Sequence, residues 1–252
     1  MKIITKKYRE VLKEKLIGVY LHGSSVFGCC NEKSDLDFIT VVSSELTLEE
    51  KENLIEILLE NNKFAPQKGF EMSVVLFKDC RHFSYPTPYE LHYSNRYYQQ
   101  AKQNLTSYCK EMSGVDYDLA AHFTVIKNVG IVLTGKEINS VFGEIPWEYY
   151  LDSIYRDVQD SQQSFEEQPL SVLLNLCRTW AAVQDKKVLS KAQGADWVCS
   201  VDSVLSKEDL ERLKEVKQAY LSGNLLDATN LELKNLMRQI EDIVREKFER
   251  ER

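Results

Sequence analysis

Residues 18–42 read GVYLHGSSVFGCCNEKSDLDFITVV. No other stretch limits the possible folds so tightly. Two short apolar runs flank a middle of Gly, Ser, Cys, Asn and Asp. The first run, GVYLHG over 18–23, is a short buried strand that ends at glycine. The second, LDFITVV over 36–42, is rich in β-branched residues and reads as another strand. Two aspartates, one residue apart, open it. Strand residues i and i+2 share a face, so Asp35 and Asp37 project together. Adjacent carboxylates disfavour each other's ionisation, and a cation between them removes the conflict. Hard ions such as Mg2+ use one or two protein carboxylates plus substrate phosphates. The HGSS segment upstream supplies the complement. Gly23 lets backbone approach a ligand, and Ser24 offers a hydroxyl and an N–H. A short helix after it would turn its N-terminus towards a phosphate. Asp-x-Asp or Gly-Ser-Ser alone is common in strand ends and turns. The conjunction, with about ten residues between them, is what points to chemistry.

The neighbouring segments extend the pattern. Residues 4–16 read as a helix with Tyr8, Val11, Leu12 and Leu16 on one stripe. Thr47 to Glu50 forms a capping box that opens a helix over 48–61. FEMSVVLF over 70–77 is a third strand. If it lies beside the aspartate strand, Glu71 reaches the same place as a third acid. Acids beside a metal-bound triphosphate suit phosphoryl or nucleotidyl transfer, one carboxylate taking the acceptor's proton. The order of elements predicts a small mixed sheet with helices packed on one face. YPTPY over 85–89 breaks regular structure.

Beyond about residue 116 the texture becomes helical. Helices are expected over 147–163, 169–184 and 190–204, from Ser206 to about 222, and over 227–250. The last has Leu231, Leu233, Leu236, Ile240, Ile243, Val244 and Phe248 on its apolar face. The expected class is α+β, with an N-terminal domain over 1–150 and an α-helical bundle over 151–252. The boundary falls between 115 and 155. Composition excludes several alternatives. With 43% hydrophobic and 28% charged residues, and no apolar run long enough for a membrane span, the chain reads as a cytoplasmic protein. Six cysteines without regular spacing read as free thiols. A net charge of −7 with no basic stripe argues against nucleic acid and suits a cationic substrate.

HGSSVFGCCNEKSDLDFITV resembles the signature of the DNA polymerase β-like nucleotidyltransferases, with Gly23, Ser24, Asp35 and Asp37 in the signature positions and Glu71 completing an acidic triad. Further stretches narrow the resemblance. FEMSVV, YPTPYEL, DYDLAAHFTVIKNVGIVLTGKEINSVFGEIP and NLCRTWAAVQDKKVLSKAQGADWV are similar, in order, to aminoglycoside adenylyltransferases of the spectinomycin/streptomycin type. The likeness spans about 18–200. It implies a nucleotidyltransferase domain followed by a helical domain, with ATP and antibiotic meeting in the cleft between them. It also implies transfer of AMP from ATP to an antibiotic hydroxyl, with Mg2+ as cofactor and pyrophosphate released. Carried over by residue, Ser24 contacts the phosphates and Ser34 assists beside the aspartates. Asp35 and Asp37 hold magnesium, with Glu71 a third acid there and the base. Arg178 and Lys191 reach the triphosphate. The resemblance suggests a monomer that acts on a small molecule and gives resistance, with no membrane or nucleic-acid partner.

The chain departs from the family in three places. His22 stands where an aromatic is usual. Arg96, Tyr97 and Tyr98 replace a tryptophan after YPTPYEL. SFEEQPLS, with Glu166 and Glu167, stands where family members place acids for the drug. These departures favour spectinomycin over streptomycin. The competing readings are a nucleotidyltransferase with a protein, tRNA or metabolite acceptor, and a non-catalytic nucleotide-binding relative. Retention of all three acids argues against the relative. Trp180 and Trp197 read as core, as does the Trp147, Tyr149 and Tyr150 cluster. Asp116 and Asp118 read as helix caps, and His122 as a packing or surface residue.

Overall fold

The computed structural model describes residues 1–29, 34–201, 204–224 and 226–251. The chain divides into two compact units, Met1–Pro146 and Trp147–Arg252. The first opens with α1 (Lys2–Leu12), β1 (Leu16–Leu21), β2 (Leu36–Val42), α2 (Leu48–Asn61) and β3 (Phe70–Leu76). Then come α3 (Phe77–Arg81), β4 (Thr87–Tyr89), β5 (Leu91–Ser94), α4 (Tyr98–Gln103) and α5 (Leu105–Glu111). It closes with β6 (Gly114–Asp116), α6 (Leu119–Val129), β7 (Ile131–Gly135) and α7 (Ile138–Val141).

The main sheet runs β5-β3-β2-β1-β7. β2 and β3 are parallel and the other neighbours antiparallel. Parallel strands need a crossover. α2 supplies it, started by the Thr47–Glu50 capping box read from the sequence. α1 buries Ile4, Tyr8 and Leu12 but stops four residues sooner than its apolar stripe suggests. Lys13 takes a left-handed φ of 49°, and Leu16 belongs to β1.

Helices cover both faces of the sheet, not one. Phe38, Val42, Phe70, Met72 and Val74 pack with Tyr8, Leu54 and Leu58 of α1 and α2. Ile39, Val41 and Val75, the alternate positions, pack with Phe123 and Ile126 of α6 and Val141 of α7. Two other expectations fail for a shared reason, pairing between distant segments. YPTPY does not simply break structure: Thr87–Tyr89 pairs with Gly114–Asp116 as a separate two-stranded sheet. The apolar stretch before Gly135, inside the region whose texture reads as helical, is β7, which pairs with β1 and so belongs to the main sheet.

The second unit comprises α8 (Trp147–Gln159), α9 (Ser161–Ser164), α10 (Pro169–Asp185), α11 (Lys191–Ser200), α12 (Lys207–Ser222) and α13 (Leu231–Glu251). α10 is its centre. Pro169 starts it where a missing N–H costs nothing, and Val172, Leu173, Leu176, Cys177 and Trp180 are buried. Trp180 meets Trp197 of α11 edge-on at 5.9 Å, so both are core, as expected. α13 begins four residues later than its pattern suggests. Asp227 bonds the N–H and hydroxyl of Thr229, and Asn230 accepts from Glu232 and Leu233 as the cap. Leu231, assigned to the apolar face, is exposed instead. No described helix is long and apolar enough to cross a membrane. Cys29, Cys80, Cys109, Cys177 and Cys199 are free thiols; Cys30 lies outside the described residues.

Candidate active site

β1 ends at Leu21, and His22 donates its N–H to the Asp37 carbonyl at 3.0 Å. The chain then turns sharply. Gly23 has φ +66°, and a Cβ there would sit 1.7 Å from Asp37 Oδ2. Glycine is therefore required twice, for the left-handed backbone and for the carboxylate beside it. Gly23–Ser25 forms one turn of 3-10 helix. The Ser24 and Ser25 hydroxyls are buried, and neither has a partner among the described residues. Buried hydroxyls are normally hydrogen-bonded, so two side by side without acceptors suit a ligand rich in oxygen.

Asp37 lies directly opposite Glu71 in the β2–β3 register. Asp35, just before β2, shares its face by alternation. One carboxylate oxygen from each of Asp35, Asp37 and Glu71 lies within 4.8 Å of the others, and all three residues are half-buried. Three hard oxygen donors converging this closely fit a divalent cation such as Mg2+. Ser34, beside them, is buried.

The acids stand on the same sheet face as Ile39, Val41 and Val75, the face covered further along by α6. That helix brings its own groups. Burial raises the Glu71 carboxyl above the usual glutamate range; His122 opposes this, while Asp35, Asp118 and Asp116 add to it. His122 stacks on buried His22 with ring centroids 4.6 Å apart. Burial, then His122, holds the His22 ring well below the usual histidine pKa. Asp116 accepts from the Asp118 N–H at 2.8 Å, shaping the entry to α6. Asp118 occupies the N-cap position, but its side chain makes no capping bond. On β5, His92 Nδ1 lies 3.0 Å from Ser73 Oγ, two residues along from Glu71. Ser25, Ser73, His92 and the His22–His122 stack escape sequence reasoning. Only the repeated serine in GSS carried a local signal; the rest depends on strand register.

Arg178 and Lys191 belong to the second unit. Arg178 Nη2 bonds Asp157 Oδ2 at 2.7 Å. Lys191, first residue of α11, has its Nζ 3.4 Å from Ser171 Oγ. Tyr150 is buried, as a core reading requires, and Trp147 stacks on it at 4.8 Å but is only half-buried. Glu166, a candidate for meeting the drug, is paired with Lys234 at 3.1 Å.

Residues 140–246 match the family model described as aminoglycoside adenylyltransferase, C-terminal domain. Three relatives are named spectinomycin 9-adenylyltransferase. The one from Enterococcus faecalis is 24% identical over 88% of this chain and 86% of its own length. The one from Campylobacter jejuni is 23% identical over 93% and 92%. The one from Staphylococcus aureus is 25% identical over 85% and 82%. Among solved structures, a spectinomycin adenyltransferase from Enterococcus, crystallised with ATP and spectinomycin, aligns with a TM-score of 0.79. It is 21% identical and covers 97% of this chain and 98% of that one. That likeness shows the α+β fold. The comparisons together support the resemblance to aminoglycoside adenylyltransferases read from the sequence.

Proposed function

We propose that the chain is an aminoglycoside adenylyltransferase that moves AMP from ATP to a hydroxyl of spectinomycin, in the cytoplasm, giving resistance. The observation that carries this reading is the convergence of Asp35, Asp37 and Glu71 beside the Gly23 turn. Asp35 and Asp37, with Glu71 at their side, are the residues that would hold Mg2+. The ion supplies charge neutralisation along the triphosphate. The Ser24 and Ser25 hydroxyls bond phosphate oxygens, with Ser34 in support. Arg178 provides a planar fork and Lys191 a point charge for the same oxygens. On this reading the domain at 1–150 carries the nucleotidyl-transfer groups, and the helical domain at 151–252 adds Arg178 and Lys191.

Glu71 is the base. Burial raises its carboxyl pKa, which makes its carboxylate a better proton acceptor than that of a free glutamate. It takes the proton of the acceptor hydroxyl as that oxygen bonds the α-phosphorus. The bond from the α-phosphorus to the bridging oxygen breaks, and pyrophosphate leaves. Spectinomycin is favoured over streptomycin because the SFEEQPLS region offers little to a larger cationic drug: Glu166 is already engaged by Lys234.

The test is an acceptor panel with ATP, reading pyrophosphate and product mass. Turnover should require Mg2+ and spectinomycin. Release with tRNA or a protein and no drug would move the assignment to another acceptor. Glu71→Gln should cut turnover by about 10²–10⁴-fold while ATP binding persists. A collapse of ATP binding instead would make Glu71 chiefly a metal ligand.

A further inference from the structure

α10 presents one half-buried edge. Ser171, Asn175 and Arg178 recur at i, i+4 and i+7 and so share a face, while every other residue from 172 to 180 is buried. Lys191 approaches this edge at Ser171. Two of its atoms, Asn175 Oδ1 and Arg178 Nε, are buried with no partner among the described residues. The unfilled Nε donor of Arg178, on the same edge that Lys191 approaches, suits an anionic acceptor, whereas Asn175 Oδ1 is itself an acceptor and calls for a donor.

The Arg178 guanidinium is nonetheless tethered. Asp157, from α8, accepts from its Nη2 corner at 2.7 Å. The two side chains are 22% and 34% exposed, so the pair is partly shielded from water. Buried Tyr150 borders both: burial pushes its phenol up to about 12, with Arg178 opposing and Asp157 adding. The guanidinium is a rigid fork of five donors. Holding one corner fixes the plane and leaves the Nε edge without an acceptor. A plain surface pair would contribute little and would give no reason for a buried unfilled donor on the same group.

We propose that Asp157 is a positioning residue for the nucleotide: it holds the Nη2 corner of Arg178 so that the Nε edge is kept ready for a phosphate oxygen of ATP. This rests on the reading of Arg178 as a triphosphate ligand. Asp157 touches no substrate and acts through Arg178, removing rotamer freedom that the long side chain would otherwise lose on binding.

Calorimetric titration of ATP with Mg2+ into the full chain tests this, using D157A, D157N, R178A and the D157A/R178A double variant. Melting temperatures are recorded in parallel. D157A should weaken ATP binding roughly tenfold, leave kcat at saturating ATP unchanged and add nothing in the R178A background. D157N should recover part of the loss, because its amide oxygen still accepts from Nη2. Unchanged or tighter ATP binding in D157A, while R178A weakens it, overturns the role of Asp157 and leaves Arg178 as a ligand. So does a D157A loss that persists in full without Arg178, which would mark a purely structural effect. Unchanged ATP binding in R178A removes the phosphate role of Arg178 and this inference with it.

Discussion

At the scale of single residues, Gly23 is where backbone and chemistry meet. An alanine there must adopt φ +66°, at a cost of about 1–2 kcal/mol. Its Cβ would also sit 1.7 Å from Asp37 Oδ2, so the carboxylate has to move. A misplacement of this size near reacting groups can cost about a hundredfold in rate. Gly23→Ala should therefore lower the melting temperature by a few degrees and kcat/KM by about two orders of magnitude. Thermal melting and pyrophosphate assays check both, and an active Gly23→Ala would mean Asp37 is not needed in its present position. Asp35 and Asp37 were legible because their relation is local: spacing along one strand decides which side chains share a face. Glu71 needed one more premise, that its strand neighbours β2. The β2–β3 register meets it by placing Asp37 against Glu71. His92, Ser73 and the His22–His122 stack were not legible. They meet through register and helix docking, and nothing in their own neighbourhoods along the chain encodes that.

Among elements, those with local punctuation were legible and those made by distant pairing were not. The capping boxes of α2 and α11, and the serine cap of α12, mark their starts in the sequence. β7 and the β4–β6 pair carry no such mark. The contact between α10 and α11 was equally hidden, because it turns on an absence of side chain. A Cβ on Gly194 would lie 2.5 Å from the Arg178 backbone nitrogen. The helix that begins with Lys191 thus rests directly on the helix that carries Arg178. Gly194 sets the spacing of the two cations assigned to the triphosphate. Valine at this position forces the helices apart, and overpacking of this kind costs about 1–3 kcal/mol. Gly194→Val should lower the melting temperature and raise the KM for ATP several-fold, with less effect on the KM for spectinomycin. Equal changes in the two KM values would show general loosening rather than altered cation spacing.

For the whole molecule, net charge predicts that the two proposed substrates respond oppositely to salt. The chain carries −7, and Asp35, Asp37, Glu71, Asp116 and Asp118 concentrate negative charge near one end of the sheet. Spectinomycin bears amines that are protonated at neutral pH, whereas ATP with Mg2+ is an anion. A field of this sign draws the drug in and holds the nucleotide off. The proposed triphosphate ligands Arg178 and Lys191 would counter the repulsion only at short range, because exposed charges are screened beyond about 10 Å at 0.1 M salt. Raising ionic strength from about 0.05 to 0.3 M compresses the field and leaves close contacts largely intact. The KM for spectinomycin should therefore rise while the KM for ATP falls or holds, and kcat should change little. The measurement is a pair of substrate titrations at each salt concentration, with free Mg2+ held constant. KM values that rise together would mean that local contacts, not the overall charge, govern the approach of both substrates. The acidity of the chain would then have no part in selecting a cationic acceptor.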